Sequence, residues 1–110
     1  MWELTKEIAL WHQKTFQTTE KAQKIKLLEE LKEYHDSGEL EEIADILFVL
    51  SSLAHRYGSE LFTELLSFTL DIIGHDKQFY DVIKGQLTAK FEKNKNRTWQ
   101  KQPDGSYHHV

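Results

Sequence analysis

Four acidic residues lie at matching distances on either side of a predicted helix break, and they form the best candidate metal site in this sequence. Glu30 and Glu33 precede the Ser37-Gly38 pair, and Glu42 and Asp45 follow it. The members of each pair are three residues apart and therefore share a helix face. Because a short connection makes neighbouring helices antiparallel, residues equidistant from the break should face each other. Glu33 is thus expected opposite Glu42, and Glu30 opposite Asp45.

Asp45 interrupts an otherwise apolar run that extends from residue 43 to residue 50. A buried carboxylate is costly unless it is paired, bound to metal or neutral. Unit charges about 4 Å apart repel by about 4 kcal/mol at an effective dielectric of ~20. A divalent cation would remove this repulsion, and a ligand set made only of carboxylate oxygens suits Mg²⁺ or Mn²⁺ rather than zinc.

Simpler interpretations of these acidic residues remain open at this point. The alternative for Asp45 is a buried ion pair with a lysine or an arginine, which is less favoured than the metal site. Glu29, Glu39 and Glu41 are expected to be solvated, as most helical glutamates are. Glu30 differs from these three, because apolar neighbours on its own helix stripe draw it toward the helix interface.

Apolar residues at helical spacing predict five helices, at about 2–16, 20–35, 39–57, 60–74 and 76–94. The predicted core face of the second helix consists of Ile25, Leu28, Leu31 and either Tyr34 or His35. The third helix is apolar almost all round and should be central. In the tail, "PDG" is a turn signal that favours a hairpin between Thr98–Lys101 and Ser106–His109. The expected fold is a single all-α domain over residues 1–110, a helical bundle around a central antiparallel helical hairpin with a short C-terminal β-hairpin.

Composition excludes several classes of protein. The 110 residues are 39% apolar and 29% charged, which is typical of a globular domain. No apolar run approaches the roughly 18 residues that a membrane helix needs. A net charge of −4 argues against binding a nucleic-acid polymer. The chain has no cysteine and its first residues lack a signal-peptide pattern, so a cytoplasmic location is expected.

Two segments carry a resemblance to a known family. "EELKE" followed by "EIAD" resembles the EExxE…ExxD signature of the MazG-like all-α nucleoside triphosphate pyrophosphohydrolases. "KFEKNKNRTW" followed by "PDGSYHH" is similar to the closing segment of phage and bacterial dATP/dGTP pyrophosphohydrolases. The similarity spans about Lys26 to His109. The interval between Glu33 and Glu42 is shorter than in the typical family motif, which leaves the subfamily and the substrate open.

The resemblance implies a function and an assembly. Glu30, Glu33, Glu42 and Asp45 would bind Mg²⁺, and a nucleoside triphosphate would be hydrolysed between its α and β phosphates. The products would be a nucleoside monophosphate and pyrophosphate, and purine deoxynucleotides are slightly favoured as substrates. Glu30 and Glu33 are the candidate proton acceptors, and Glu29 is a weaker one. Family members are commonly dimers or tetramers, so a homodimer or homotetramer is expected.

The basic C-terminal segment offers groups that suit a triphosphate. Lys90, Lys93, Asn94 and Arg97 recur at offsets of one face of a continued helix, whereas Lys95 points elsewhere. Lysine supplies a point charge, arginine a bidentate fork and asparagine a neutral donor. A solvated basic helix end is the competing interpretation. The resemblance favours phosphate contacts by Lys90, Asn94 and Arg97.

Aromatic and histidine residues are the remaining candidates for binding a substrate or a metal. Trp11, Phe16 and Trp99 could stack on a base, although aromatic side chains more often fill a core. None of the six histidines follows a glutamate at the Glu-x-x-His spacing of di-iron bundles, and none is assigned a role.

A non-catalytic helical adaptor, binding a partner through the apolar fourth and fifth helices, is the alternative function. The carboxylate quartet argues against it, because an adaptor gains nothing from crowding four acids.

Overall fold

The structure, a computed structural model that describes residues 1–110, is an all-α bundle of five helices followed by a two-stranded hairpin. The helices are α1 (Trp2–Thr15), α2 (Glu20–Ser37), α3 (Glu41–Ser51), α4 (Glu60–Gly74) and α5 (Lys77–Lys95), and the strands are β1 (Trp99–Lys101) and β2 (Tyr107–His109). The predicted fold class is confirmed. None of the helices combines the length and the apolar composition needed to cross a membrane.

Both ends of α2 follow from local chemistry. The Thr19 side chain accepts a hydrogen bond from the Ala22 backbone N–H at 3.1 Å, which makes it the N-cap. Gly38 has a φ of 68°, and its N–H donates to the Tyr34 carbonyl at 2.8 Å. This left-handed glycine ends the helix and reverses the chain within a few residues. α2 and α3 therefore form the helical hairpin that positions the acidic residues.

The predicted third helix is shorter than expected. α3 begins at Glu41 rather than Glu39, and its α-helical part ends at Ser51. A π-helical segment, Ser52–Arg56, continues it toward the left-handed Gly58. The Ser51 hydroxyl donates to the Leu47 carbonyl at 2.6 Å, a bond that competes with regular helix geometry. The π turn matters below because the side chains of Ser52 and Arg56 reach His12 of α1.

α3 is the centre of the core, as its apolar sequence predicts. Leu47 is completely buried and belongs to one apolar cluster with residues of α1, α4 and α5. Fully buried members from these other helices are Ile8, Leu66, Ile83 and Leu87. Glu30 is the one buried residue of α2, so this helix covers the core without entering it deeply.

The predicted core face of α2 is wrong. Its large apolar side chains point to solvent, with exposed fractions of 50% for Ile25, 66% for Leu28 and 43% for Leu31. Tyr34 and His35 are exposed as well. α2 instead packs with the face that carries Leu27 and Glu30. The helix has two faces able to bury apolar surface, and only one of them faces this chain's core.

α4 also leaves much of its apolar surface outside. Only Leu66 and Ile73 are buried. Four large side chains are exposed: Leu61, Leu65, Phe68 and Ile72. We call these four residues, together with Leu28 and Leu31 of α2, the outer apolar residues.

The hairpin forms where the turn signal places it. β1 and β2 are antiparallel, with Trp99 opposite His109 and Lys101 opposite Tyr107. Each strand begins one residue later than predicted. The Tyr107 hydroxyl accepts a hydrogen bond from the Gln17 backbone N–H at 3.0 Å, just beyond α1. This contact folds the hairpin back over the end of α1.

Candidate functional site

The four predicted carboxylates converge between α2 and α3. Glu30, Glu33, Glu42 and Asp45 each offer an oxygen, and these oxygens all lie within 4.8 Å of one another. Glu30 is buried, Glu42 and Asp45 are half-buried, and Glu33 is exposed. The convergence requires the antiparallel hairpin set by Gly38 and confirms the predicted cluster.

The cluster carries more negative charge than its surroundings neutralise. A hydrogen bond with Asp45, followed by burial and by the charges of Asp45, Glu33 and Glu30, raises the pKa of Glu42 to about 7. Burial also raises the pKa of Glu30, with Lys26 opposing the shift and Asp45 and Glu33 adding to it. Near neutral pH the cluster therefore retains a proton that separated carboxylates would lose.

Two oxygen atoms of the cluster are buried without any hydrogen-bond donor. They are Oε2 of Glu30 and Oε2 of Glu42. Buried acceptors nearly always have a partner, so both call for one that the polypeptide does not provide. A cation is a partner for both, and a set of four carboxylates provides the oxygen ligands that hard divalent ions take. The residues fit a metal ion on this evidence of geometry and unsatisfied acceptors.

Asp45 is neither unpaired nor fully buried, which corrects the initial expectation. Its Oδ1 lies 2.6 Å from Nζ of Lys90, and the two side chains are 26% and 29% exposed. The ion-pair alternative is therefore present together with the acidic cluster. Lys90, predicted as a phosphate ligand, lies directly against the carboxylates in this structure.

Lys26 was missed as a site residue. Its Nζ lies 3.2 Å from Oε1 of Glu30 and 3.8 Å from Oε2 of Glu29. Burial alone would lower the pKa of Lys26, but the charge of Glu30 and the hydrogen bond to it raise the pKa above its usual value. The i,i+4 spacing from Lys26 to Glu30 was a signal that could have found it.

A cavity of about 670 Å³ opens beside the carboxylates. This volume lies within the range of roughly 300–1,000 Å³ typical of small-molecule sites. Glu30, Asp45 and Lys90 line one part of it, and the rings of Phe16 and Trp99 line another. The cavity thus joins the acidic cluster to an aromatic region.

The predicted polar residues of the C-terminal segment come together between these two regions. Asn94 is only 5% exposed, and its Oδ1 accepts a hydrogen bond from Nη1 of Arg97 at 3.2 Å. Its backbone carbonyl accepts from Nε1 of Trp99 at 3.0 Å. Lys90, Asn94 and Arg97 all line the cavity, whereas Lys93 does not. α5 ends at Lys95, so Arg97 reaches the cavity from the following turn rather than from a continued helix.

The aromatic candidates separate into cavity and core. Phe16 contacts Trp99 and Tyr107 edge-on, with ring centroids 5.1 and 4.8 Å apart, and all three line the cavity. Trp11 is not part of the lining. Its ring lies 5.3 Å from Phe16, with Phe48 and Phe91 also in edge contact. Trp11 thus has the core position of the alternative interpretation, and Trp99 is the tryptophan that a cavity ligand can reach.

His12 is a cavity residue that no pattern in the sequence indicates. It is 6% exposed, and its Nδ1 lies 2.8 Å from Nη1 of Arg56 and 3.2 Å from Oγ of Ser52. Burial, and secondarily the charge of Arg56, lowers the pKa of His12 to about 4. The ring is therefore neutral at pH 7. Its partners lie at least 40 residues away in the chain, beyond any local spacing rule.

Comparisons with protein-family models, with curated proteins and with solved structures found no match to this chain. The chemistry open to the site is therefore what its own residues support: cation binding by four carboxylates next to a cavity with cationic, amide and aromatic walls.

Proposed function

We propose that this protein is a Mg²⁺-dependent nucleoside triphosphate pyrophosphohydrolase that cleaves between the α and β phosphates. The observation that carries the proposal is the single cavity joining the carboxylate cluster to an aromatic region. Contacts define the order along it: Asp45 touches Lys90, Arg97 touches Asn94, and Asn94 touches Trp99. A triphosphate needs a cation and basic groups at its phosphates, and its base needs a flat apolar surface.

The residues divide into distinct roles. Glu30, Glu33, Glu42 and Asp45 would hold the ion. Bound Mg²⁺ neutralises phosphate charge and lowers the pKa of water. Mn²⁺ has similar ligand preferences and should substitute for it.

Lys90 has two anionic partners available in turn. In the structure it neutralises Asp45. With a cation held by the four carboxylates, the Lys90 ammonium group would be free to bind a phosphate oxygen. Arg97 lies on the same cavity and adds a fork of donors suited to phosphate. These cationic groups stabilise the charge that develops on the departing pyrophosphate.

The reaction is a hydrolysis at phosphorus. The oxygen of a water molecule bonds to phosphorus, the bond to the α–β bridging oxygen breaks, and pyrophosphate leaves with that electron pair. The water's proton passes to a glutamate of α2. Glu30 is engaged by Lys26, whereas Glu33 has no ion pair within the chain, so Glu33 is the freer of the two acceptors. Positioning and electrostatics supply most of the acceleration in phosphoryl transfer.

We further propose that two copies associate through the outer apolar residues. Leu28, Leu61 and Phe68 are each more than 60% exposed. Large exposed apolar side chains concentrated on two helices are typical of a protein interface. The same surface would serve a non-catalytic adaptor, which is the second candidate function. The orphaned oxygens of the carboxylate cluster have no purpose in an adaptor and favour the enzyme.

Pyrophosphate release from a panel of NTPs and dNTPs with Mg²⁺ tests the proposal. Wild type should cleave at least one nucleotide, and Asp45→Asn should lose the activity. Asp81→Asn is the matched control, because Asp81 is 60% exposed on α5 and pairs only with Lys77 at 3.7 Å. The control should retain wild-type activity. No cleavage of any nucleotide by folded wild type, or equal cleavage by Asp45→Asn, would contradict the proposal and favour the adaptor.

A further inference from the structure

The hydrogen bond between Arg56 and His12 fixes which nitrogen of the imidazole carries the proton. A guanidinium group can only donate, so Nδ1 of His12, 2.8 Å from Nη1 of Arg56, must accept. A neutral imidazole that accepts at Nδ1 carries its hydrogen on Nε2. Arg56 is itself held, because its Nη2 donates to the Phe16 carbonyl at 2.8 Å. The π segment that supplies Arg56 also directs Ser52 at the same ring nitrogen.

The Nε2–H group of His12 is left without a partner in the chain. The polypeptide makes hydrogen bonds to the ring only at Nδ1. The residue is 94% buried, yet Nε2 is not among the atoms sealed from solvent, and the ring lines the cavity. The Nε2–H group therefore opens onto the cavity, and its acceptor is supplied by whatever occupies the cavity, either water or a ligand.

His12 lies against the aromatic residues of the cavity. Its ring centroid is 4.9 Å from that of Phe16, which in turn contacts Trp99 and Tyr107. A neutral donor among aromatic rings suits the polar edge of a flat heterocycle. Phosphate oxygens would instead be drawn to the cationic groups Lys90 and Arg97.

We propose that His12, fixed as an Nε2–H donor by Arg56, donates a hydrogen bond to an acceptor atom on the base of the bound nucleotide and thereby contributes to base selection. The inference rests on the proposed function. His12 is then a specificity-determining residue, and Arg56 is a positioning residue that acts through it. The acceptor is a ring nitrogen or a carbonyl oxygen of the base.

Substrate analogues test the hydrogen bond without disturbing the protein. For the best-cleaved nucleotide, each hydrogen-bond acceptor of the base is removed in turn. Examples are 7-deaza and 3-deaza purines, and base analogues that lack a carbonyl oxygen. With wild type, one analogue should lower kcat/KM by about 10-fold or more, as loss of a buried hydrogen bond does. With His12→Phe, the same analogue and its parent should differ by less than about 2-fold, which is the coupling that a double-mutant cycle measures.

His12→Gln is a second variant that keeps the test decisive if His12→Phe does not fold. Its amide can still donate, so part of the discrimination should return. The two possible failures are distinguishable. If wild type cleaves no nucleotide, the proposed function fails and the inference fails with it. If wild type is active but His12→Phe and His12→Gln discriminate among the analogues as wild type does, the inference alone is overturned.

The role of Arg56 has a readout that does not depend on activity. Nitrogen NMR of the histidine side chains at neutral pH should show His12 as the Nε2–H tautomer, with its resonances assigned by their loss in His12→Gln. Arg56→Met removes the donor and should allow the Nδ1–H tautomer to appear. An Nδ1–H tautomer of His12 in wild type would overturn the proposal.

Discussion

The Asp45→Asn substitution should stabilise the metal-free protein. In Mg²⁺ the same substitution should leave the protein less stable than wild type. An oxygen of Asp45 lies within 4.8 Å of one of Glu30. At that distance and an effective dielectric of about 20, two unit charges repel by about 3 kcal/mol. The substitution removes this repulsion but also the half-exposed ion pair with Lys90, which is worth up to about 1 kcal/mol. Without metal, Asp45→Asn should therefore be more stable than wild type by about 2 kcal/mol.

Metal binding should invert this order. A ligand at 100 times its Kd stabilises the folded state by about 2.7 kcal/mol. For a domain of this size each kcal/mol raises Tm by roughly 4–8 °C, so wild type should gain about 10 °C or more. Asp45→Asn loses a charged ligand and should gain only a small fraction of that. In Mg²⁺ the Tm of wild type should then exceed that of Asp45→Asn.

Thermal melts with EDTA and with Mg²⁺, recorded above pH 7 where Glu42 is largely ionised, measure both shifts. Asp81→Asn is the control, since it changes an exposed aspartate away from the cluster and should respond to Mg²⁺ as wild type does. The reasoning is refuted if wild type shows no Mg²⁺-dependent shift, or if Asp45→Asn gains as much as wild type. Greater stability of metal-free wild type over the variant would show that the carboxylate repulsion is absent.

Three further predictions concern the fold and the assembly. Because the pKa of folded His12 lies near 4 and that of an unfolded histidine near 6.5, the unfolded state binds the proton first as pH falls. The free energy of unfolding of wild type should therefore fall by about 3 kcal/mol between about pH 7 and pH 4 because of this residue. His12→Gln should not show this part of the decrease when urea unfolding is measured at the two pH values. Gly38→Ala places a Cβ at a φ of 68° and should lower the free energy of unfolding by about 1–2 kcal/mol in the same measurement. Its control is Gly74→Ala, which lies in α4 with open space around it and should be neutral or slightly stabilising. Equal effects of the two substitutions would contradict the turn argument. Leu65→Glu combined with Phe68→Glu should convert a dimer to a folded monomer in analytical ultracentrifugation, and a monomeric wild type would remove the proposed interface.

The ends of α2, the C-terminal hairpin turn and the carboxylate cluster were determined by the sequence itself, because the interactions behind them are local. The cap at Thr19, the left-handed turn at Gly38 and the hairpin turn at 103–105 each depend on a few consecutive residues. The three-residue spacing within each acidic pair, together with one short reversal, is enough to bring all four carboxylates within 4.8 Å. No knowledge of the remaining fold is needed for that convergence.

Orientation of the helices was decided only in three dimensions. An apolar stripe has the same pattern whether it faces its own core or a partner, so Leu28 and Leu31 suggested a core face that the structure leaves exposed. Trp11 and Trp99 are equally aromatic in sequence, yet packing places one in the core and the other on the cavity.

The partners of Asp45 and His12 were likewise settled by tertiary structure. The Lys90–Asp45 and Arg56–His12 contacts join residues that are far apart in the chain. Such contacts depend on how whole helices lie against each other, and for Arg56 on a π turn that no helical spacing predicts. Local interactions act through neighbouring residues and can be recognised in the sequence. The environment that sets the charge of a side chain is made by distant segments and exists only once the chain has folded.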